Sequence, residues 1–178
     1  PEWLALTALL VTSIVSLATG TSWGSAGTIG VAFMGVAIGL DANLALVAGA
    51  VVAGAYFGDK MSPLSDTTNL AALTTGVNLY THIGNMIWTT GPAYLLSIVV
   101  FATAGRSAAG AGGNLESVSL INGFLDQAFN WNVLLLLPLL IVLVGSMMRK
   151  PTVPVMILAS VVALINAVIF QGQTFANA

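Results

Sequence analysis

Cysteine is absent from the 178-residue chain, which excludes disulfide frameworks, thiolate metal sites, cysteine nucleophiles and cysteine lipidation. Histidine occurs once, so a zinc centre is not expected. Charge is scarce: 6% of residues are charged, against about a quarter in soluble domains. With 57% hydrophobic residues and a mean hydropathy of +0.98, a soluble globule is excluded. Four Lys and Arg against six Asp and Glu give a net charge of −2. That leaves no basic footprint for nucleic acid and no polybasic patch for a lipid surface. The chain starts at Pro1 and turns apolar at once without a basic segment, so no signal peptide is read and a piece of a longer chain is expected.

The ten charges that exist are Glu2, Asp41, Asp59, Lys60, Asp66, Arg106, Glu116, Asp126, Arg149 and Lys150. The windows 3–40, 42–58, 67–105, 127–148 and 151–178 carry none. A membrane-spanning helix needs about 20 apolar residues at about 1.5 Å rise each, so these windows predict an all-α polytopic membrane protein. A barrel would alternate with a period of two, which runs such as 133–137 do not. Residues 83–105 read as a transmembrane helix, and 131–148 and 154–170 as scaffold helices. Between them, 106–114 is a Gly/Ala/Ser loop. Residues 115–130 place Val118, Ile121, Leu125, Ala128 and Phe129 opposite Glu116, Ser119, Gln127 and Asn130. That pattern fits a helix lying in the membrane interface, or one packed on the protein.

Two segments do not fit simple spans. Residues 1–40 are interrupted over 19–28, TGTSWGSAGT, leaving about 17 residues before and about 12 after, Ile29 to Leu40. A re-entrant helical hairpin with a polar tip fits those lengths, since bare backbone at membrane depth needs protein or a wet cavity around it. Two full helices with small-residue faces, Gly20/Gly24 and Gly35/Gly39, are the alternative. Residues 43–79 begin as an apolar helix, Leu44 to Gly58, meet the run DKMSPLSDTTN at 59–69, and resume as Leu70 to Thr75. Gly58 and Pro63 are expected to end the first half, and Ser65 or Asp66 to cap the second. A broken helix of this kind offers carbonyls, carboxylates and helix ends to a cation; an ordinary loop after a completed span is the alternative.

These same segments carry a resemblance. TGTSWGSAGTIGVAFMG (19–35) and GAYFGDKMSPLSDTTNLA (54–71) resemble the signature stretches of the NhaC family of sodium/proton antiporters, which includes malate/lactate exchangers. FNWNVLLLLPLLIVLVGSMMRKPTVPVM (129–156) is also similar. The resemblance implies a multi-pass secondary transporter of the bacterial or archaeal cytoplasmic membrane, exchanging Na+ for H+ without a cofactor. It implies an ion-transporter-like fold in which this piece is one half of an inverted repeat, completed by the rest of a longer chain and compatible with a homodimer. Matched to the motifs, Thr21 and Ser22 at the tip and Asp59, Ser62, Ser65, Asp66, Thr67, Thr68 and Asn69 at the break are expected to line the ion site. Oxygen donors of these types suit a hard cation. Asp66 is expected to be the exchanging carboxylate, because it opens the second half-helix beside three polar residues whereas Asp59 has Lys60 adjacent. Cation and proton would compete for it. Ser22 and Asp66 are expected on one polar cavity.

Other roles stay open. Lys60 reads either as a tethered counter-charge or as a snorkelling side chain, and His82 as structural or as a pH sensor. Arg149 and Lys150 hint at a cytoplasmic loop. Against an intramembrane aspartyl protease, position 56 of Tyr56-Phe57-Gly58-Asp59 is not the Gly of a GxGD motif, and both candidate carboxylates share one break. A transport-inert scaffold would have no use for the polar break. An organic-acid exchanger is the alternative substrate class. No phosphate-binding GxxxxGK[ST] loop is present.

Overall fold

The computed structural model describes residues 2–107, 123, 132–148 and 150–171. The interface helix expected at 115–130 lies outside the described residues apart from Gly123. Every regular element described is helical. The chain divides into two units, Pro1–Val118 and Ser119–Ala178.

In the first unit α1 (Leu4–Thr19) ends at Gly20, whose φ of 71° reverses the chain. Thr21 then caps α2 (Ser22–Gly39), accepting from the Gly24 amide at 3.2 Å. α2 contains a π segment at Ala26–Gly30 but is otherwise continuous. The expected ten-residue interruption therefore shrinks to Gly20 and Thr21, and the second arm has 18 residues rather than about 12. The physical reason is that Ser and Thr here bond within the helix: Ser25 Oγ donates to Thr21 O at 2.8 Å and Thr28 Oγ1 to Gly24 O at 2.7 Å. Asp41, with φ 51°, turns the chain into α3 (Leu44–Met61), which Asn43 caps. Ser62–Ser65 are non-helical, α4 (Asp66–Thr75) follows, and α5 (Leu79–Ser107) is a 29-residue helix containing Pro92.

The core is a seam between α1 and α3. Ala5, Ala8, Leu9, Thr12, Ser13 and Ser16 are buried on one, and Val47, Ala50, Val51, Gly54, Ala55, Gly58 and Asp59 on the other. Both stripes step by three and four residues, the spacing of one helix face. Most members are small, so the backbones come close, as packing between membrane helices favours. A Cβ on Gly54 would strike Leu9 O, and one on Gly58 would strike Ser13 O and reach 2.6 Å from Leu17 N. This corrects the expectation for Gly58. It does not end the helix, which runs three residues further; its lack of a side chain lets α1 approach. α5 is held to the seam by Tyr94, whose Oη donates to Ser13 Oγ at 2.7 Å and whose ring stacks on Phe57 at 3.7 Å. Near its other end Arg106 lies 4.3 Å over the Trp3 ring.

In the second unit a 3-10 turn (Val133–Leu136) leads into α6 (Leu137–Met147), so the helix expected over 131–148 is assembled from two helical types. α7 (Thr152–Gln171) packs on it, and Asn166 Nδ2 donates to Leu134 O at 2.7 Å.

Among the described residues, four helices are long and apolar enough to cross a membrane: Ser22–Gly39, Leu44–Met61, Leu79–Arg106 and Val153–Phe170. Leu95, Leu96 and Val99 of α5 and Ile157, Val161 and Ile169 of α7 point outward. Such faces suit hydrocarbon, not water.

Substituting Gly58 by Ala should cost roughly 1–3 kcal/mol, because the new methyl group meets the α1 backbone and the Ser16 Cβ, neither of which is the end of a flexible side chain. Gly84→Ala in α5, where a Cβ meets nothing within 4 Å, should be neutral or slightly stabilising. Thermal unfolding in detergent reads both; equal stability of the two variants would contradict the seam.

Candidate ion-binding site

The hairpin tip meets the helix break, and the local chemistry explains why. Ser62 ends α3 in extended conformation, and its Oγ donates to Leu17 O in the last turn of α1 at 2.7 Å while accepting from Leu64 N at 3.1 Å. Gly20 fits against the break, since a Cβ there would lie 2.6 Å from Leu64 C and 2.8 Å from Ser65 N. Ser65 caps α4 through the Thr68 amide at 3.4 Å and shares a 2.9 Å hydrogen bond with Thr67 Oγ1. Thr68 Oγ1 turns back to Lys60 O at 3.3 Å, near the orphan carbonyls that end α3. Asn69 Nδ2 donates to Pro63 O at 2.8 Å and Ser65 O at 2.7 Å. Pro63 is buried within the break, where its missing N–H requires no partner.

A cavity of about 210 Å³ lies where these pieces converge, walled by Thr21, Ser22 and Trp23 from the tip, Tyr56, Asp59 and Lys60 from α3, and Asp66 and Thr67 from α4. Ser22 and Asp66 thus share one small polar cavity, as the sequence leads one to expect. Of the nine residues expected at the site, Thr21, Ser22, Asp59, Asp66 and Thr67 line it. Ser62, Ser65, Thr68 and Asn69 do not; their polar atoms are used on the backbone of the break. Tyr56 and Trp23 were not anticipated. Tyr56 stands three residues before Asp59 on one helix face, a spacing that could have found it.

The two carboxylates differ. Asp66 is exposed at the first residue of α4, and its Oδ1 accepts from Thr67 N at 2.7 Å. Asp59 is 7% exposed. Its Oδ2 accepts from Ser22 Oγ at 3.0 Å, and its Oδ1 is buried without a hydrogen-bond partner. Lys60 is exposed on the cavity wall and makes no ion pair among the described residues. His82, in the first turn of α5, does not line the cavity. A half-satisfied carboxylate in a dry seam is costly when ionised and bare. Either a proton or a cation at Oδ1 removes that cost.

Helices of this length and apolarity around a carboxylate at a helix break define a multi-pass membrane protein with a polar site inside its helical packing. Residues 54–178 match the Na+/H+ antiporter family, and the chain belongs to that family. It is 56% identical over 172 residues, 96% of its length, to an uncharacterized Na+/H+ antiporter of Haemophilus influenzae. It is 44% identical over 97% of its length to the Na+/H+ antiporter NhaC of Alkalihalophilus pseudofirmus, and 39% identical over its whole length to the malate-2H+/Na+-lactate antiporter of Bacillus subtilis. The chain spans only 37%, 37% and 38% of these relatives. No solved structure matches it. The family is one of transporters rather than enzymes, and the protein is a multi-pass protein of the cell membrane.

The role of Asn69 is open to a direct check. Asn69→Ala should destabilise the protein by about 1–3 kcal/mol, because Pro63 O loses its donor while Ser65 O keeps the Asn69 backbone amide. Asn69→Asp should cost more, because it sets a carboxylate against the same two oxygens. Thermal unfolding at neutral pH reads both; a variant as stable as the parent would show that Asn69 does not hold the break.

Proposed function

We propose that the protein is the ion-site portion of a secondary transporter that exchanges Na+ for H+ across the cytoplasmic membrane, with Asp59 as the carboxylate that cation and proton share. The observation that carries this reading is that Asp59, which lines the cavity, has one carboxylate oxygen, Oδ1, buried without a hydrogen-bond partner. Ser22 fixes the other oxygen. This moves the exchanging role from Asp66, the residue the sequence favours, to Asp59: exposure leaves Asp66 hydrated, so its ionised form needs no cation. Asp66 then stands at the mouth, where its charge draws cations in. Two acidic side chains, Asp59 and Asp66, and one basic side chain, Lys60, line the cavity, a balance that favours a cation.

On this reading α1 and α2 form a hairpin whose tip completes the site, α3 and α4 are the halves of one discontinuous transmembrane helix, and the rest of a longer chain supplies the inverted counterpart. The C-terminal end of α3 contributes its negative dipole pole to the cation. Transport needs no cofactor and no catalytic chemistry. The relatives named as Na+/H+ antiporters support the substrate. The malate/lactate relative supports a second reading, coupled organic-acid exchange, for which Lys60 is the cation on the wall able to meet a carboxylate substrate.

The experiment is proton flux from the intact chain in liposomes on addition of Na+, Li+, K+, malate or lactate. Asp59→Asn should abolish Na+-driven proton release in folded, inserted protein. Asp66→Asn should retain exchange with a raised KM for Na+. Since one proton is displaced per cation, apparent Na+ affinity should fall about tenfold per pH unit on the acid side of the profile. Full exchange in Asp59→Asn, or a flat profile, would falsify the assignment.

A further inference from the structure

We propose that the groove between α6 and α7 is a site for one anionic phospholipid, with its phosphate at Lys150 and an acyl chain along the helices. The site lies wholly within the second unit and is independent of the exchange reading.

A cavity of about 420 Å³ lies along this helix pair, walled by Leu137, Leu140, Val144 and Met148 from the α6 side and by Val155 and Leu158 from α7, and Lys150 also lines it. The first four step by three and four residues, so they form one row on one helix face. From Leu137 to Met148 that row covers roughly 16 Å at about 1.5 Å per residue. Leu140, Val144, Met148 and Leu158 are exposed. Gly145 brings the two helices together, since a Cβ there would lie 2.6 Å from Val155 Cγ1. Lys150 belongs to the turn that ends α6, its amide bonded to Gly145 O at 3.0 Å. Three residues further on the apolar span Val153–Phe170 begins. The lysine therefore stands at the level of lipid headgroups, and the row leads from it through half of the roughly 30 Å hydrocarbon core. That is the depth of one leaflet and the reach of one lipid chain, whereas a membrane-crossing helix would need a track twice as long.

Charge selects the head. Between 127 and 178 the charged residues are Arg149 and Lys150. A protein helix laid over the groove would bury a lysine for which this stretch holds no acid. A zwitterionic head would bring an ammonium group with no acid to meet it. A net-negative head meets Lys150 directly, because lysine serves phosphate as a point charge and basic pockets between membrane helices hold anionic lipids. One lysine would not hold a soluble protein on a membrane, but a helix pair already in the bilayer needs the charge only to choose among neighbouring lipids.

The test is native mass spectrometry of the full chain in a mild detergent with dioleoyl phosphatidylglycerol and dioleoyl phosphatidylethanolamine, which share their chains and differ in head charge. Phosphatidylglycerol should be retained about fivefold better, the worth of one lysine beside an anionic head. Lys150→Gln should remove most of that preference, and Lys150→Arg should keep it. Val144→Phe fills the groove from an exposed position and should reduce retention of phosphatidylglycerol. Leu158→Phe does the same from α7 and serves if the first variant misfolds. Glycerol phosphate should not displace the bound lipid. Equal retention of the two lipids, an unchanged preference in Lys150→Gln, or retention untouched by both fillings would overturn the proposal. So would displacement by glycerol phosphate, which marks a bare anion site, or a dimer in the same spectra that Val144→Phe dissociates, which marks a second copy in the groove.

Discussion

The contact of α1 with α3 through Gly54 and Gly58 is the constraint on which the polar architecture depends. Without side chains at these positions the carbonyls of Leu9 and Ser13 sit directly against α3. Asp59 follows Gly58 in sequence, so the residue that bears the carboxylate is drawn into the seam with it. Gly20 repeats the device at the end of α1, where its lack of a Cβ seats the tip against Leu64 and Ser65. Three glycines therefore determine that the start of α2, the end of α3 and the break come together. A side chain at any of them would push these backbones apart and disturb the 3.0 Å hydrogen bond that joins Ser22 to Asp59.

Around the break two kinds of polar residue do different work. Ser62, Ser65, Thr68 and Asn69 bind backbone, replacing the helical hydrogen bonds that Pro63 and the extended Ser62 prevent. A buried unwound segment is viable only with such substitutes. Thr21, Ser22, Asp59, Asp66 and Thr67 face the cavity. Both groups come from one run of sequence with one composition, and residue type does not separate them. What separates them is direction. Residues that face the chain's own carbonyls are used on backbone, and residues that face the gap between elements line the cavity.

That distinction explains how much could be read from the sequence. The helical, membrane-spanning character followed from charge spacing, because lipid imposes its length on any span. The break was visible because Pro63 and the capping residues act locally, and the meeting of tip and break followed from the shared need for polar surroundings. Three features were not legible. Gly58 can end a helix or admit a neighbour, and only the position of α1 decides. The polar run after Thr19 suggested a long interruption, but Ser and Thr bond back to their own helix, so α2 begins at Ser22. The ranking of Asp66 over Asp59 rested on polar neighbours in sequence, whereas burial is set by the seam, which passes through Asp59 and leaves Asp66 outside it. Gly54 and Gly58 do stand at GxxxG spacing, the one pattern that would have revealed the seam beforehand.

The condition of Asp59 follows from where the nearby donors are spent. Ser16 Oγ, one turn from the end of α1, gives its hydrogen bond to Ala55 O at 2.6 Å, and Ser13 Oγ gives its own to Leu9 O at 2.6 Å. Ser62 gives to Leu17 O and Thr68 to the last carbonyls of α3. Each of these is obliged to do so, since the carbonyl it serves is buried in the seam or stranded by the break. Of these hydroxyls Ser22 serves the carboxylate, and one hydroxyl satisfies one oxygen. The unpartnered oxygen is thus left where two helix ends and a tip are held together by small hydroxyl side chains, on a residue that lines the cavity those same elements enclose.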